Sequence, residues 1–150
     1  MFAPRRILVP TDFTNDSDRA LREAIEIAAS SHGRVYMLHV DKSVPFAVGE
    51  SVVDPEVVNA VEASDELFTR QKMFEELRKV ALQTEVEIEF VERHGVTFEE
   101  ILAYMKDKLI DLVVIEPHAK KGLLKNLLGG VTDRLLKETT CPMLVLHATA

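Results

Sequence analysis

The chain contains the stretch RILVPTD at residues 6–12, which decides the class of the fold. Within it, Ile7–Val9 is a continuous apolar run between Arg6 and Pro10, and such a run is typical of a strand buried on both faces. The polar stretch Thr11–Ser17 is expected to end this strand. Strands buried on both faces belong to parallel sheets that helices cover on either side. The stretch therefore favours an α/β fold with a parallel sheet.

Helices and strands are predicted to alternate after this first strand. Apolar residues recur at helical spacing over Asp18–Ser31, with Ser17 available as the N-cap and Gly33 just past the end. Val35–Val40 predicts a second strand. Asp41–Val53 mixes polar residues with proline and glycine, which indicates a loop.

The middle of the chain predicts a long helix followed by an edge strand and a second helix. The long helix begins after Pro55 and ends near Thr84, because one stripe carries Leu67, Phe74, Leu77 and Ala81. Val86–Glu92 alternates apolar with acidic residues, which is typical of an edge strand with one wet face. Thr97–Glu100 forms a capping box, and the helix after it has an apolar face made of Ile101, Leu102, Met105 and Leu109.

The last third of the chain completes the alternating order. Leu112–Ile115 predicts a fourth strand buried on both faces, and Lys120–Leu128 is a basic connection. A short helix must stop before Pro142, and it is marked by Val131, Leu135 and Leu136. Met143–Leu146 is the last strand. Five strands alternating with four helices predict a mostly parallel sheet with helices on both faces.

The composition is that of one globular domain over residues 1–150, with 47% hydrophobic and 29% charged residues. A net charge of -7 argues against a nucleic-acid or anionic-membrane partner, since both favour a basic surface. The single cysteine, Cys141, excludes an intrachain disulfide and favours a reducing compartment. No apolar run approaches the about 20 residues that span a bilayer. We therefore expect a cytoplasmic protein.

Ligands of open parallel sheets bind outside the carboxyl ends of the strands, where the winding reverses direction. The residues at these ends are Pro10–Asp12, Val40–Asp41, His94–Gly95, Glu116–His118 and His147. Gly129 and Gly130 lead directly into a helix, whose exposed backbone N–H groups can hold a phosphate. Three lysines in the preceding loop favour an anion, namely Lys120, Lys121 and Lys125. The alternatives are that the glycines only turn the chain and that the lysines form a solvated face.

Individual polar residues give two further indications. Asp12 closes the first strand, where a carboxylate can accept a hydrogen bond from a nucleoside, help to hold a divalent cation or serve as a turn residue. Cys141 is interpreted as a small core residue rather than a nucleophile. The five histidines show no i, i+3 or i, i+4 pair of the metal-ligand type, and no hydroxyl lies in an elbow or triad pattern. The sequence therefore predicts no catalytic residue and no metal site.

Three parts of the chain match one known family. They are the opening strand and loop at Ile7–Thr14, the end of the second strand at Leu38–Val40, and the closing third at His118–Val131 and Thr140–Leu146. Together they resemble the universal stress protein family over essentially the whole chain. The resemblance implies a doubly wound five-stranded parallel sheet of the adenine nucleotide alpha hydrolase-like type, with strand order 3-2-1-4-5. It places the reversal of winding between the first and fourth strands.

Many members of this family bind ATP at that point. By resemblance the nucleotide-binding residues are Pro10, Thr11, Asp12, Val40, Glu116, His118, Ala119, Gly129, Gly130 and Val131. The family pattern is Gly, two residues, Gly, nine residues, Gly, then usually Ser or Thr. Aligning Gly129 with the last glycine puts Glu116 and Ala119 in place of the first two, and Gly130 in place of the hydroxyl. Glu116 brings negative charge close to the phosphates and Ala119 restricts the backbone, so weakened binding is expected.

The sequence thus predicts a regulatory stress-response protein without classical catalysis, with ATP as the only candidate cofactor. The alternative is an ATP-binding switch or slow ATP hydrolase that uses Asp12 and the amides of Gly129 and Gly130 in the same cleft. Family members are commonly dimers that pair through the last strand, and here Met143–Leu146 is an apolar edge that needs covering, so a homodimer is expected.

Three other classes of protein are excluded by their motifs. A phosphoacceptor signalling domain needs an aspartate after the third strand and a lysine after the fifth, where this chain has His94–Gly95 and His147. A dehydrogenase needs a Gly-x-Gly-x-x-Gly turn and a P-loop enzyme needs Gly-Lys-Ser or Gly-Lys-Thr, and neither motif is present.

Overall fold

A computed structural model describes residues 1–11, 15–41, 71–72, 75–117 and 130–147, with the backbone alone described at 15–18. The strands are β1 (Arg6–Thr11), β2 (Arg34–Asp41), β3 (Glu87–His94), β4 (Leu112–Ile115) and β5 (Met143–Val145). The helices are α1 (Asn15–Ser31), α2 (described at 71–72 and 75–84), α3 (Thr97–Asp107) and α4 (Gly130–Glu138). The alternation of strands and helices predicted from the sequence is confirmed.

The five strands form one parallel sheet in the order β3-β2-β1-β4-β5. β1 lies between β2 and β4, with Leu8 opposite both Tyr36 and Val113. The chain winds from β1 through β2 to β3, then crosses back over the sheet to β4 and β5. The reversal therefore falls between β1 and β4, and the predicted strand order is confirmed.

Helices cover both faces of the sheet. Ile7 and Val9 of β1 pack in a core with α1 and α2. We call this side of the sheet the α1 face and the other side the α3 face. Leu8 points the other way and packs in a core with α3 and α4, on the α3 face. All three side chains are fully buried, which explains the continuous apolar run. Because each face buries its own row of strand residues, the hydrophobic effect fixes the register of the central strands.

β3 is the edge strand that its acidic residues predicted. Ile88 and Phe90 pack against the core of the α1 face, whereas Glu87 and Glu89 are exposed. Val91 breaks the alternation and packs on the α3 face, and the strand continues to His94 rather than ending at Glu92.

The start of α1 differs from the prediction. The helix begins at Asn15 rather than Asp18, so Ser17 lies inside its first turn and is not the N-cap. β1 also runs further than predicted, through Pro10 to Thr11. Proline fits there because Pro10 lies opposite Leu38 at the end of a strand, where its missing N–H removes at most one hydrogen bond from the ladder.

The predicted capping box of α3 is wrong. The N-cap position is occupied by Val96, whose apolar side chain makes no capping hydrogen bond. The backbone N–H of Glu100 donates to the Val96 carbonyl at 3.0 Å. The helix starts early because Gly95, with φ of 143°, turns the chain directly after β3. The predicted apolar face also ended too late, since Leu109 lies beyond the helix in a left-handed conformation and is exposed.

The long helix before β3 is described only in its last part. Leu77 and Ala81 are buried against the α1 face and the helix ends at residue 84, as predicted. The predicted stripe residues Leu67 and Phe74 lie outside the described residues, as does the 42–53 part of the predicted loop.

Tyr104 is a buried aromatic residue at the centre of the α3 face. Its ring makes an edge contact with Tyr36, with centroids 6.0 Å apart, and the Arg93 guanidinium lies 5.4 Å from the ring centroid. Its hydroxyl oxygen is buried without a hydrogen-bond partner among the described residues. Burial, and then the nearby Glu89 carboxylate, raise the pKa of Tyr104 to about 12. Among the described residues the hydroxyl is therefore a buried polar group without a hydrogen bond.

We predict that Tyr104→Phe stabilises the protein by about 1 kcal/mol at pH 7, because it removes a buried hydroxyl that has no hydrogen-bond partner among the described residues. Above pH 10 the unfolded chain loses the tyrosine proton before the folded chain does, so wild-type stability should fall as pH rises from about 10 to about 12. The loss approaches about 2 kcal/mol, and the variant should lack it. Urea unfolding of both proteins at pH 7, 10 and 11 measures this, and equal pH dependence in the two would contradict the prediction.

Candidate functional site

The winding of the sheet reverses between the carboxyl ends of β1 and β4, which is where open parallel sheets have the crevice that binds ligands. One side is formed by Pro10 and Thr11 at the end of β1, and the other by Glu116 and Pro117 after β4. We call this region the switch cleft. Val40 lies at the same end of the sheet, at the end of β2, and is buried on the α3 face. Four of the predicted nucleotide-binding residues therefore share one end of the sheet.

An arginine of α1 crosses this end of the sheet. Arg19 Nη1 lies 3.4 Å from Glu116 Oε1 and donates a hydrogen bond of 2.7 Å to the backbone carbonyl of His147. The helix starts at the carboxyl end of the sheet because it follows β1, so a residue in its second turn can reach the ends of β4 and β5. Arg19 thus connects the first helix to both strands on the far side of the cleft.

Glu116 is the buried acidic group of the switch cleft. Its side chain is only 8% exposed, and Oε2 has no hydrogen-bond partner among the residues that the structure describes. Burial of a carboxylate is unfavourable unless it is paired, and Arg19 supplies one partly exposed partner. The switch cleft therefore carries a buried carboxylate whose second oxygen accepts no hydrogen bond from the described residues.

The start of α4 supplies backbone groups at the same end of the sheet. The chain passes through α4 between two parallel strands, so the helix begins at their carboxyl end and runs back towards their amino end. Gly130 is its first residue, and a Cβ placed there would meet no described atom within 4 Å. Val131 packs against the α3 face and Thr132 is buried. Among the described residues nothing packs against Gly130, and the backbone N–H groups at the start of α4 lie at the carboxyl end of the sheet, where the N-terminus of a helix can hold an anion.

Several predicted site residues lie outside the described part of the chain. They are Asp12, His118, Ala119 and Gly129, together with the three lysines Lys120, Lys121 and Lys125. The described members of the predicted set, Pro10, Thr11, Val40, Glu116, Gly130 and Val131, all belong to the carboxyl end of the sheet.

Arg19 was missed by the sequence analysis. It belongs to no motif and counts there only as a polar residue of an amphipathic helix. The signal that could have found it is its position near the start of the helix after β1, since that helix begins beside the switch cleft.

Cys141 has the structural role that was predicted for it. The thiol lies 3.4 Å from the Ile110 carbonyl oxygen and packs beside the core of the α3 face. Burial, and secondarily the charge of Asp111, raise the pKa of Cys141. A protonated thiol is a poor nucleophile, so Cys141 is not suited to covalent catalysis.

None of the described helices is both long enough and apolar enough to cross a membrane.

The sequence matches the model of the universal stress protein family over residues 4–147. One curated relative is universal stress protein MJ0531 of Methanocaldococcus jannaschii, which is 30% identical over 94% of this chain and 81% of its own length. Universal stress protein YxiE of Bacillus subtilis is 25% identical over 95% of this chain and 98% of its own length.

Solved structures share the fold. Universal stress protein UspA from Lactobacillus plantarum superposes with a TM-score of 0.73 at 20% identity, covering 95% of this chain and 97% of that one. A universal stress protein solved in complex with cAMP superposes with a TM-score of 0.67 at 19% identity, covering 99% of this chain and 100% of that one. A universal stress protein family member from Arabidopsis thaliana, solved with AMP bound, superposes with a TM-score of 0.62 at 18% identity, covering 98% of this chain and 94% of that one. With the sheet order, the family match and a relative at 30% identity in agreement, this chain belongs to the universal stress protein family.

Proposed function

We propose that this protein is a regulatory stress-response protein without classical catalysis, and that it binds an adenine nucleotide weakly in the switch cleft. Support comes from the position of the cleft, at the reversal of winding where open parallel sheets bind ligands. Two structural neighbours were solved with the adenine nucleotides cAMP and AMP. We place this single-domain protein, over residues 1–150, in the cytoplasm.

Glu116 is the observation that carries the proposal of weak binding. Its carboxylate is buried at the end of β4, on the side of the cleft where the start of α4 would hold phosphates. At an effective dielectric constant of 20, two negative charges about 6 Å apart repel by about 3 kcal/mol. Arg19 offsets part of this charge from one side. Each further phosphate on the nucleotide therefore adds repulsion, so the cleft should favour a monophosphate over ATP.

We predict that the protein binds AMP more tightly than ATP, and that Glu116→Gln raises the affinity for ATP about tenfold, equivalent to about 1.4 kcal/mol. Glutamine keeps the shape of the side chain and removes its charge. Glu87→Gln is the matched control, because Glu87 pairs with Arg34 at 3.0 Å at the amino end of β3, away from the cleft. Calorimetric titration with AMP and with ATP plus Mg²⁺ measures all three proteins.

Two results would contradict the proposal in different ways. No heat from AMP or ATP at millimolar concentration, in both the wild type and Glu116→Gln, would remove the nucleotide site. Sustained ATP hydrolysis at enzyme-like rates would remove the non-catalytic role and favour the alternative of a nucleotide-driven switch or slow hydrolase.

The proposal includes a homodimer that pairs through the last strand, with Met143–Leu146 at its centre. β5 pairs with β4 on one side, and its residues Met143, Leu144 and Val145 are partly buried apolar residues at the edge of the sheet. Such an edge invites pairing with a second strand. Native mass spectrometry of the purified protein would reveal the mass of the dimer together with any retained nucleotide, and a monomer mass would contradict this part of the proposal.

A further inference from the structure

Two neighbouring strands bring three potential metal ligands together at the carboxyl end of the sheet. Asp41, the last residue of β2, lies directly opposite His94, the last residue of β3. Glu92 is two residues before His94, so its side chain lies on the same face of the strand. The backbone N–H of Gly95 donates to the Asp41 carbonyl at 3.0 Å, which continues the pairing past His94. The backbone register therefore fixes which side chains meet.

The ligand atoms of these three side chains are already close together. One carboxylate oxygen each from Asp41 and Glu92 and one ring nitrogen of His94 all lie within 4.8 Å of one another. His94 Nδ1 is 3.7 Å from Asp41 Oδ2. Ligands of a tetrahedral zinc ion, with bonds of about 2.0 to 2.1 Å, lie about 3.3 Å apart. The side chains are 63% exposed for His94 and 30% for Asp41, so small rotamer changes can close this difference.

The charge of the cluster favours a cation. Two carboxylates and one imidazole supply two anionic oxygen ligands and one nitrogen ligand. Arg93 lies between Glu92 and His94 in sequence but points to the opposite face, where its guanidinium lies over the Tyr104 ring. The arginine next in sequence therefore does not occupy the space between the carboxylates.

We propose that Asp41, Glu92 and His94 form a binding site for Zn²⁺, with water completing the coordination. The combination of one imidazole and two carboxylates suits zinc and similar transition metals, whereas magnesium and calcium prefer oxygen ligands alone. Three protein ligands also leave the open fourth position that is common in zinc sites exposed to solvent. The site requires no nucleotide and is independent of the function proposed for the switch cleft.

No sequence pattern indicated this site, and the sequence analysis predicted no metal site. Its ligands come from two strands separated by the long segment that contains α2, so spacing along the chain cannot reveal them. A pair of histidines within one helix indicates a different kind of metal site, in which both ligands belong to the same element.

Calorimetric titration of the nucleotide-free protein with ZnCl₂ tests the proposal, and we expect one ion bound per chain. Because loss of even an outer-shell partner weakens metal binding about 10-fold to 100-fold, His94→Asn and Asp41→Asn should each weaken it more than tenfold. His32→Asn is the matched control, since His32 is exposed beyond the end of α1 and its φ of 57° suits asparagine. Its zinc affinity should equal that of the wild type.

A second measurement locates the ion directly. In NMR spectra of the imidazole groups, zinc should shift the His94 signals and leave those of His32 unchanged. Thermal unfolding of each variant without zinc checks that the fold is retained. Equal zinc affinity in the wild type, His94→Asn and Asp41→Asn would overturn the proposal. The absence of binding at 1 mM ZnCl₂ would overturn it as well, since a dissociation constant of 1 mM corresponds to a binding free energy of about 4 kcal/mol. None of these results depends on nucleotide binding, so the two proposals succeed or fail separately.

Discussion

Leu135→Ala should lower the free energy of unfolding by about 3 kcal/mol, the largest effect that we expect from a single substitution. Leu135 is fully buried, at 0% exposure, in the core of the α3 face. It holds α4 against α3, where Arg134 also lies over the Phe98 ring at 3.9 Å from its centroid. Removing three carbon atoms from such a site leaves a cavity that the surrounding side chains fill only partly.

Leu136→Ala provides the control, because the two leucines are neighbours in the same helix. Leu136 is 41% exposed, and its truncation should change the free energy of unfolding by less than about 0.5 kcal/mol. The sequence analysis used both leucines as markers of the helix, and the structure separates them. Urea unfolding of the two variants measures the difference, and equal losses in both would contradict the packing described for α4.

Gly33→Ala should destabilise the protein by about 2 kcal/mol. A Cβ on Gly33 would lie 2.8 Å from the Pro4 carbonyl oxygen and 3.1 Å from the Arg5 Cα. Both are backbone atoms, so the N-terminal segment would have to move, and the hydrogen bond from the Arg34 N–H to the Arg5 carbonyl would be strained. The left-handed turn after α1 is made by His32, so Gly33 is required for the close approach of two backbone segments.

Gly130→Ala is the matched control for this substitution. A Cβ at Gly130 meets no described atom within 4 Å, and alanine is a better helix former than glycine. Its stability should therefore equal or slightly exceed that of the wild type. Comparison of the two variants by thermal unfolding tests the assignment, and an unaffected Gly33→Ala protein would show that the backbone contact at Pro4 is not as close as described.

The buried and edge strands of the sheet could be predicted because each kind has a clear pattern in the sequence, whereas the full strand order was implied only by the family resemblance. Ile7–Val9 and Leu112–Ile115 are apolar without interruption, and both lie at the centre of the sheet with cores on each side. The acidic alternation of β3 likewise identified an edge strand. The pattern of apolar and acidic residues in a strand depends directly on which of its faces is exposed to water, so it can be recognised in the sequence.

The ends of the helices could not be predicted in the same way. Thr97 and Ser17 are residue types that favour the N-cap position. In the structure Val96 occupies that position in α3, and α1 begins at Asn15. A cap depends on backbone angles that the preceding turn sets, and at α3 that turn is made by Gly95. Local composition therefore predicted the existence of α1 and α3 but missed the first residue of each.

The candidate site was only partly accessible from the sequence. The shared position of Pro10, Thr11 and Val40 followed from the predicted parallel sheet, because the carboxyl ends of parallel strands lie at the same edge. The contact between Arg19 and Glu116, which joins residues 97 positions apart, did not. Long-range pairs of this kind depend on how helices pack against the sheet, and that packing has no local signature.

The two outer strands of the sheet differ in a way that limits how large an assembly can become. Joining two copies along β5 would leave β3 at both ends of the enlarged sheet. There, the exposed carboxylate of Glu89 would repel the same strand of an approaching copy, whereas that of Glu87 is paired with Arg34. Growth would stop after a single pairing, so a destabilised variant should remain a closed pair of subunits rather than extend into fibres.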